Sequence, residues 1–203
     1  MLVEKRKKQH NSDLNLISLF TCGMGMDLGF EKAGFRTRYA NDIEKFACNT
    51  IRKNKPDIHC DEGDITTIKT EEILLRSKME KSKIDVIIGG PPCQSFSTAG
   101  MRKGLDDKRG MALLEFIRVI RETRPKFFIF ENVAGLKSAA KKHISFYERA
   151  KKEKPLGDDH KLGSLFQEIL EQFNIPGYKF EWRILNAADF GVPQKRKIGR
   201  AHV

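Results

Sequence analysis

At residues 89–97 the sequence reads Gly-Gly-Pro-Pro-Cys-Gln-Ser-Phe-Ser, directly after the apolar run Ile-Asp-Val-Ile-Ile at residues 84–88. A β-branched run that stops at Gly-Gly-Pro-Pro predicts a buried strand with an abrupt end, because proline cannot donate to a strand ladder. In open parallel α/β sheets, ligands and chemistry gather beyond the carboxyl ends of the strands. Cys93 is therefore predicted to lie at such an edge, on a turn stiffened by two prolines. The alternative is a small buried apolar side chain, which is the commoner role of a lone cysteine.

Other segments repeat this pattern of an apolar strand followed by glycine or polar groups. The apolar run at 14–20 leads into Thr-Cys-Gly-Met-Gly-Met-Asp-Leu-Gly-Phe at 21–30, which predicts a turn and a helix ending near Ala33. The run Phe-Phe-Ile-Phe at 127–130 ends in Glu131 and Asn132. Further elements are predicted as strands at 36–41 and 178–185 and as helices at 43–53, 111–121 and 164–173.

Length and composition indicate one α/β domain whose charge favours a polyanionic partner, although many basic chains have no nucleic-acid function. The chain has 203 residues and a net charge of +11, which favours contacts to phosphates. No apolar run approaches the roughly 20 residues of a membrane span. The basic N-terminus is not followed by the apolar segment that a secretory signal would have. The four cysteines show neither Cys-x-x-Cys spacing nor a histidine cluster, so we expect no metal site and a reducing compartment.

Several of these segments, taken in order, resemble the DNA (cytosine-5)-methyltransferase family. They are the Ser-Leu-Phe strand and its glycine-containing turn, Pro-Pro-Cys-Gln-Ser-Phe-Ser, Glu-Asn-Val, and Asn-Ala-Ala-Asp-Phe-Gly-Val-Pro-Gln-Lys-Arg at 186–196. The resemblance implies a Rossmann-like α/β fold that uses S-adenosylmethionine, with a mostly parallel sheet, helices on both faces and an incomplete C-terminus. It also implies a cytoplasmic, nucleoid-associated bacterial enzyme of a restriction-modification system, which methylates C5 of a flipped cytosine in double-stranded DNA.

By this resemblance, Cys93 is the nucleophile that adds to cytosine C6, Glu131 the acid at N3, and Arg196 a donor to the base carbonyl or a flanking phosphate. Glu131 would need a raised pKa, and Asn132 would help to fix its turn. The alternatives are a helix N-terminal acid for Glu131 and a generic phosphate contact for Arg196. The loop at 97–110 is interpreted as a basic lid, or else as an ordinary surface loop. The expected nucleic-acid contacts are Gln94, Ser97, Arg109 and Gln194.

On the cofactor side, the resemblance assigns Asp42 to the ribose, Ile43 to the adenine ring and Asp64 to the adenine amino group. The expected cofactor contacts are Phe20, Gly23, Gly25, Asp42, Ile43, Asp64, Ile65, Pro91 and Leu113. Asp42 could instead, or in addition, cap the helix at 43–53, and Asp64 could be a solvated turn residue. The chain departs from the family pattern at Cys22 and Met24, where glycines are common.

The end of the chain departs further from the family pattern. We divide the chain into a basic arm at 1–12, an incomplete catalytic domain at 13–198 and a tail at 199–203 that we do not interpret. After Arg196 the family has a basic residue in place of Ile198, a further strand, a target-recognition region and a C-terminal helix, and we expect none of them here. The chain would then be a truncated enzyme or one subunit of a split enzyme whose partner carries target recognition. The alternatives are a transfer-RNA cytosine-5 methyltransferase and an inactive nucleic-acid-binding fragment, whereas a nicotinamide enzyme is disfavoured because no Gly-x-Gly-x-x-Gly is present.

Overall fold

A computed structural model describes residues 14–92, 108–140 and 157–202. The strands in this part of the chain are β1 Leu14–Leu19, β2 Phe35–Asp42, β3 His59–Glu62, β4 Val86–Gly89, β5 Phe127–Val133, β6 Glu181–Asn186 and β7 Lys197–His202. The α-helices are α1 Gly25–Lys32, α2 Lys45–Asn54, α3 Thr70–Ser77, α4 Lys108–Thr123 and α5 Ser164–Gln172. Elements therefore alternate from strand to helix along most of the chain, as the sequence predicts for an α/β fold.

The strands form one seven-stranded sheet in the order β3-β2-β1-β4-β5-β7-β6. Strands β1 to β5 pair in parallel, whereas β7 is antiparallel to both β5 and β6. The strand order reverses at β1. Strands β2 and β3 lie on one side of β1, and after β3 the chain crosses to β4 and β5 on the other side. This arrangement confirms the predicted Rossmann-like, mostly parallel sheet.

Helices cover both faces of the sheet, because the central strands are apolar on both sides. One face carries the larger core, in which α3, α4 and α5 pack through side chains such as Ile73, Phe116 and Ile169. On the other face α1 and α2 pack over smaller clusters that include Phe30 and Ile51. The expectation of helices on both faces is therefore confirmed.

The expectation that no further strand follows Arg196 is wrong. Lys197–His202 form β7, which pairs with β5 from Val133↔Ile198 to Ile129↔His202 and with β6 from Asn186↔Lys197 to Glu181↔His202. The segment reads Lys-Ile-Gly-Arg-Ala-His, which lacks the apolar alternation of a strand. Its conformation is set instead by ladder partners on both sides, so most of the tail that the sequence left uninterpreted belongs to the sheet.

Other boundaries also differ from the sequence prediction. Helix α2 begins at Lys45, and Glu44 is its N-cap. The alternative interpretation of Asp42 as the cap of this helix is therefore wrong. Strand β6 begins at Glu181 instead of residue 178. Within the described ranges, no helix has both the length and the apolar character to cross a bilayer.

Candidate functional site

The strand ends bring several predicted site residues to one edge of the sheet. Phe20 follows β1, Asp42 ends β2, and Gly90 follows β4 beside Glu131 of β5. Because these strands are parallel neighbours, their carboxyl ends lie side by side. β7 runs in the opposite direction, so the connection from β6 to β7 at residues 187–196 returns to the same edge. The strand that the sequence analysis missed thus places the segment that carries Arg196.

A cleft of about 540 Å³ opens at this edge between the ends of β1, β4 and β5. Four predicted site residues line it, namely Phe20, Gly23, Gly25 and Glu131. The sequence analysis did not assign Ser18, Thr21 or Asp27, which also line it. The cleft therefore joins the predicted cofactor turn to the predicted catalytic acid.

The turn from β1 to α1 holds three non-glycine residues in the left-handed region. Phe20 has φ 55°, Cys22 φ 50° and Met24 φ 64°. Each such residue carries strain of about 1–2 kcal/mol, because Cβ approaches the following carbonyl. Strained backbone of this kind persists only where its surroundings hold it, and it concentrates at binding sites. Cys22 and Met24 thus adopt a conformation that glycine would adopt without strain.

Asp42 holds this turn from the neighbouring strand. Its Oδ2 accepts a hydrogen bond from the Cys22 amide at 2.6 Å, and its Oδ1 accepts one from the Glu44 amide at 2.8 Å. The Thr21 amide also donates to the Asn41 carbonyl at 3.1 Å. Each carboxylate oxygen has a further lone pair, so Asp42 can still accept from a ligand hydroxyl.

The residues predicted to hold an adenine differ in their accessibility. Ile43 is 62% exposed just after Asp42 and offers a free apolar surface. Asp64 is exposed, and its Oδ1 accepts from the Thr66 amide at 3.0 Å, so it caps the 3₁₀ turn Ile65–Thr67. Ile65 is buried in the larger core, where its side chain packs away from solvent.

Two further predicted cofactor contacts lie under the protein surface. Pro91 is buried at the turn after β4, and Leu113 is buried in the larger core on α4. Neither side chain lines the cleft. The structure therefore brings Phe20, Gly23 and Gly25 together at the cleft. Pro91 and Leu113 are buried and do not line it.

Glu131 is half-buried beside the glycine pair at the end of β4. A Cβ at Gly90 would lie 2.9 Å from Glu131 Oε2, so the missing side chain leaves room for the carboxyl group. The Asn132 side chain donates to the Pro91 carbonyl at 3.3 Å, and its Oδ1 accepts from the Val133 amide at 2.9 Å. Asn132 therefore ties the end of β5 to the turn after β4, which precedes Cys93 in the sequence.

Arg196 and Gln194 lie on the exposed connection between β6 and β7. The Ala187 amide donates to the Arg196 carbonyl at 2.9 Å, and Asn186 Nδ2 donates to Asp189 Oδ1 at 3.1 Å. These contacts close the connection into a compact loop at the cleft edge. The loop can present a cation to a ligand that enters from this side.

Several predicted residues lie outside the described part of the chain. They are Cys93, Gln94 and Ser97. Arg109 lies in α4, but its side chain is outside the described atoms. Their assignments stay predictions.

Asp27 is an unassigned carboxyl group inside the cleft wall. It is 1% exposed and accepts hydrogen bonds from Ser18 Oγ at 2.9 Å and Thr37 Oγ1 at 3.2 Å. Burial raises the pKa of Asp27 to about 6, because desolvation disfavours the charged form. An acid in the first turn of a helix is ordinarily a surface group that interacts favourably with the helix dipole. The sequence position of Asp27 therefore gave no sign that it is buried.

A larger cleft of about 1150 Å³ lies near the start of β2 and β3. Several of its charges already pair with each other, as Arg76 does with Asp61 at 2.6 Å. It lies at the amino ends of the strands, so we assign the functional site to the smaller cleft at their carboxyl ends. In the described ranges, no group of three His, Cys, Asp or Glu side chains could hold a metal ion.

The chain is similar to known methyltransferases over most of its length. The profile of the C-5 cytosine-specific DNA methylases matches residues 14–198. The type II methyltransferase M.AquIA of Picosynechococcus is 46% identical over 186 residues, which are 90% of this chain and 68% of that protein. The type II methyltransferase M1.HphI of Haemophilus parahaemolyticus is 41% identical over 193 residues, which are 92% of this chain and 46% of that protein.

One solved structure supports the same relationship. It is a prophage-encoded Escherichia coli protein described as a DNA modification methyltransferase, which superposes with a TM-score of 0.68 at 28% identity. The superposition covers 94% of this chain and 46% of that one. The chain thus spans about half the length of two of these proteins and about two thirds of the third.

Proposed function

Because the chain belongs to the C-5 cytosine-specific DNA methylase family, we propose that it methylates C5 of cytosine in double-stranded DNA as part of a restriction-modification system. The observation that carries the proposal is the meeting of two strand ends. Gly90 leads into the turn that bears Cys93, and the Glu131 carboxyl group packs against that same glycine. Gly90 and Glu131 both line the cleft into which the glycine-containing turn opens, and Cys93 follows Gly90 by three residues in the sequence, which supports a nucleophile and an acid that act at this cleft.

The residues at the carboxyl ends of β2 and β3 and at the start of α1 fit S-adenosylmethionine as the methyl donor. Asp42 can accept hydrogen bonds from the ribose hydroxyls, and Ile43 provides an exposed apolar surface for the adenine ring. Asp64, near the end of β3, would accept from the adenine amino group. The amino end of α1 favours a carboxylate, such as that of the methionine part. When bound, S-adenosylmethionine supplies a methyl group that is carried on a positively charged sulfur.

The protein would activate the base by covalent catalysis, because C5 of cytosine is a poor nucleophile. The Cys93 thiolate adds to C6, and the electron pair of the C5–C6 bond is pushed toward N3 and C5. Glu131 donates a proton or a hydrogen bond at N3, where the negative charge develops. Arg196 stabilises the base carbonyl or a flanking phosphate. After the methyl group is transferred, loss of the C5 proton and departure of the Cys93 thiolate restore the aromatic base.

This chemistry requires the cytosine to leave the duplex stack, since C6 is not accessible within it. The net charge of +11 would favour the DNA backbone at that stage. Gln194 lies beside Arg196 on the exposed connection between β6 and β7, where it could contact the strand that carries the flipped base.

We further infer that strand β6 and the loop that follows it contact the polypeptide that carries target recognition, which lies outside residues 1–203. Two of the three related proteins are about twice as long as the matched region. Strand β6 lies at the edge of the sheet, and Trp182, Ile184, Phe190 and Val192 are exposed on it and on the loop that follows. Apolar side chains grouped on an edge strand favour a protein partner.

The test is transfer of tritiated methyl groups from S-adenosylmethionine to mixed-sequence duplex DNA. The chain is assayed alone and together with the C-terminal part of a longer relative, supplied as a separate polypeptide. Transfer only in the combined reaction supports target recognition by polypeptide outside residues 1–203, and transfer by the chain alone refutes it. Methylation of transfer RNA in place of DNA, or binding of cofactor with no transfer in either reaction, would refute the proposed activity.

A further inference from the structure

A hydrogen-bonded network inside the protein joins the buried Asp27 to the strained turn. Ser18, Asp27 and Thr37 lie on β1, α1 and β2, and their exposed fractions are 1%, 1% and 3%. Both hydroxyl groups donate to the Asp27 carboxyl group. The Ser18 carbonyl then accepts from Thr21 Oγ1 at 3.1 Å, and the same hydroxyl approaches the Asn41 carbonyl at 3.2 Å. The network therefore reaches from the first turn of α1 to the residues that precede Cys22.

Stability alone does not account for a carboxyl group at this position. Burying a carboxylate is costly, and an apolar side chain of similar size is often equal or better for stability. A buried carboxyl that takes hydrogen bonds from two strands does define how those strands and the helix are placed. The turn between them is the segment with three left-handed residues, which needs such support.

Asp27 and Asp42 hold opposite ends of this turn. Asp42 accepts from the amide of Cys22, in the middle of the turn. Asp27 anchors α1, whose first residues follow Met24, to β1 and β2. We propose that Asp27 is a positioning residue, which holds residues 20–24 in the cofactor-binding conformation through Ser18 and Thr37. The identity of the ligand in this statement rests on the proposed function.

Thr37 offers an isosteric test, because valine keeps its shape and removes the hydroxyl group. Thr37→Val should weaken equilibrium binding of S-adenosylmethionine about tenfold, the change expected on loss of one hydrogen bond to a charged group. It should also speed amide hydrogen exchange at residues 20–24 in the protein without ligand. Thr37→Ser restores a hydroxyl donor and should return both values to those of the wild-type protein.

Thr123 provides the matched control. It is as deeply buried as Thr37, and its Oγ1 donates to the Val119 carbonyl at 2.6 Å near the end of α4, away from the cleft. Thr123→Val should change global stability without a local change in exchange at residues 20–24 or in cofactor affinity. Equal effects of Thr37→Val and Thr123→Val on both readouts would overturn the positioning role.

Hydrogen exchange keeps this test separate from the proposed function. If the wild-type protein does not bind S-adenosylmethionine, the proposed function fails, but the exchange rates at residues 20–24 still decide the role of Asp27. If Thr37→Val melts below the assay temperature, Asp27→Asn serves as the second variant, since it keeps the size of the side chain and one acceptor oxygen. Unchanged exchange and affinity in Asp27→Asn would likewise overturn the inference.

Discussion

Adding one methyl group at Gly90 should slow methyl transfer without unfolding the protein. The Cβ of Gly90→Ala would lie 2.9 Å from Glu131 Oε2, whereas ordinary contacts begin at 3.4 Å, so the carboxyl group must shift by about 0.5 Å. The φ angle of Gly90 is not in the left-handed region, so alanine can adopt the same backbone. Misplacing a reacting group by about 1 Å costs roughly 100-fold in rate, so a shift half as large should lower kcat about tenfold.

Gly89 is the control for this substitution, because it is the adjacent glycine with a different environment. A Cβ there would lie 2.9 Å from the backbone carbonyl of Leu19 and 2.7 Å from the Phe116 ring. A backbone atom cannot move aside as the end of a side chain can. Gly89→Ala should therefore lower the free energy of unfolding by about 1–3 kcal/mol.

The two variants are compared by urea denaturation and by single-turnover methyl transfer, with the C-terminal part of a relative present if transfer requires it. Gly90→Ala should keep its stability within about 1 kcal/mol of wild type and lose rate. Gly89→Ala should lose stability, which Gly90→Ala should not. Wild-type kcat in Gly90→Ala would refute the catalytic placement of Glu131, and equal loss of stability in both variants would refute the packing argument.

Four further substitutions test the strained turn and the buried polar groups. Cys22→Gly should raise the free energy of unfolding in urea denaturation by up to about 1 kcal/mol, because glycine adopts the left-handed conformation without strain and the lost side chain is exposed. Met24→Gly should lower the free energy of unfolding, because the lost side chain is buried. For Asp27, the folded-state pKa of about 6 exceeds its usual 3.8, so wild-type stability should fall as pH rises from about 4 to about 6. The fall should be about 3 kcal/mol relative to Asp27→Asn, and parallel pH profiles of the two proteins would contradict the burial argument. Tyr39→Phe removes a 2.6 Å hydrogen bond to Asp61 in a buried setting and should destabilise the protein by about 1–2 kcal/mol in the same assay; no change would show that Asp61 is satisfied without it.

The parallel part of the fold could be predicted from the sequence because its signals are local. Apolar β-branched runs end at glycine, proline or acidic residues, and parallel strands bring such ends to one edge. The same reasoning predicts that Cys93 follows a strand end at this edge, and the structure brings Phe20, Asp42, Glu131 and Gly90, three residues before Cys93, to it. The contact of Asn132 with the turn after β4 depends on the packing of β5 beside β4 and has no local signal.

Strand β7 could not be predicted in this way, because its partners lie far along the chain. Nothing in Lys-Ile-Gly-Arg-Ala-His indicates a strand, and only the ladders of β5 and β6 make it one. The start of α2 was misplaced for a related reason. Asp42 resembles a helix cap in sequence, but its carboxylate is already bound by the Cys22 and Glu44 amides.

The buried network at Asp27 has no distinctive sequence signal. Its partners Ser18 and Thr37 are ordinary strand residues, and the three groups meet only when β1, β2 and α1 are packed together. The left-handed conformations of Cys22 and Met24 also could not be predicted from the sequence, since these residue types do not favour a positive φ.

Covalent trapping of the target base tests the proposed role of Cys93 as the nucleophile. Duplex DNA that carries 5-fluorocytosine is incubated with S-adenosylmethionine and with a preparation that transfers methyl groups to ordinary DNA. After methyl transfer the fluorine at C5 cannot leave as a proton does, so the thiolate cannot be expelled and the adduct persists. We predict a peptide cross-linked through Cys93 by mass spectrometry, unchanged yield in Cys22→Ser, and none in Cys93→Ala. Methyl transfer that continues in Cys93→Ala, or an adduct on another residue, would contradict the mechanism.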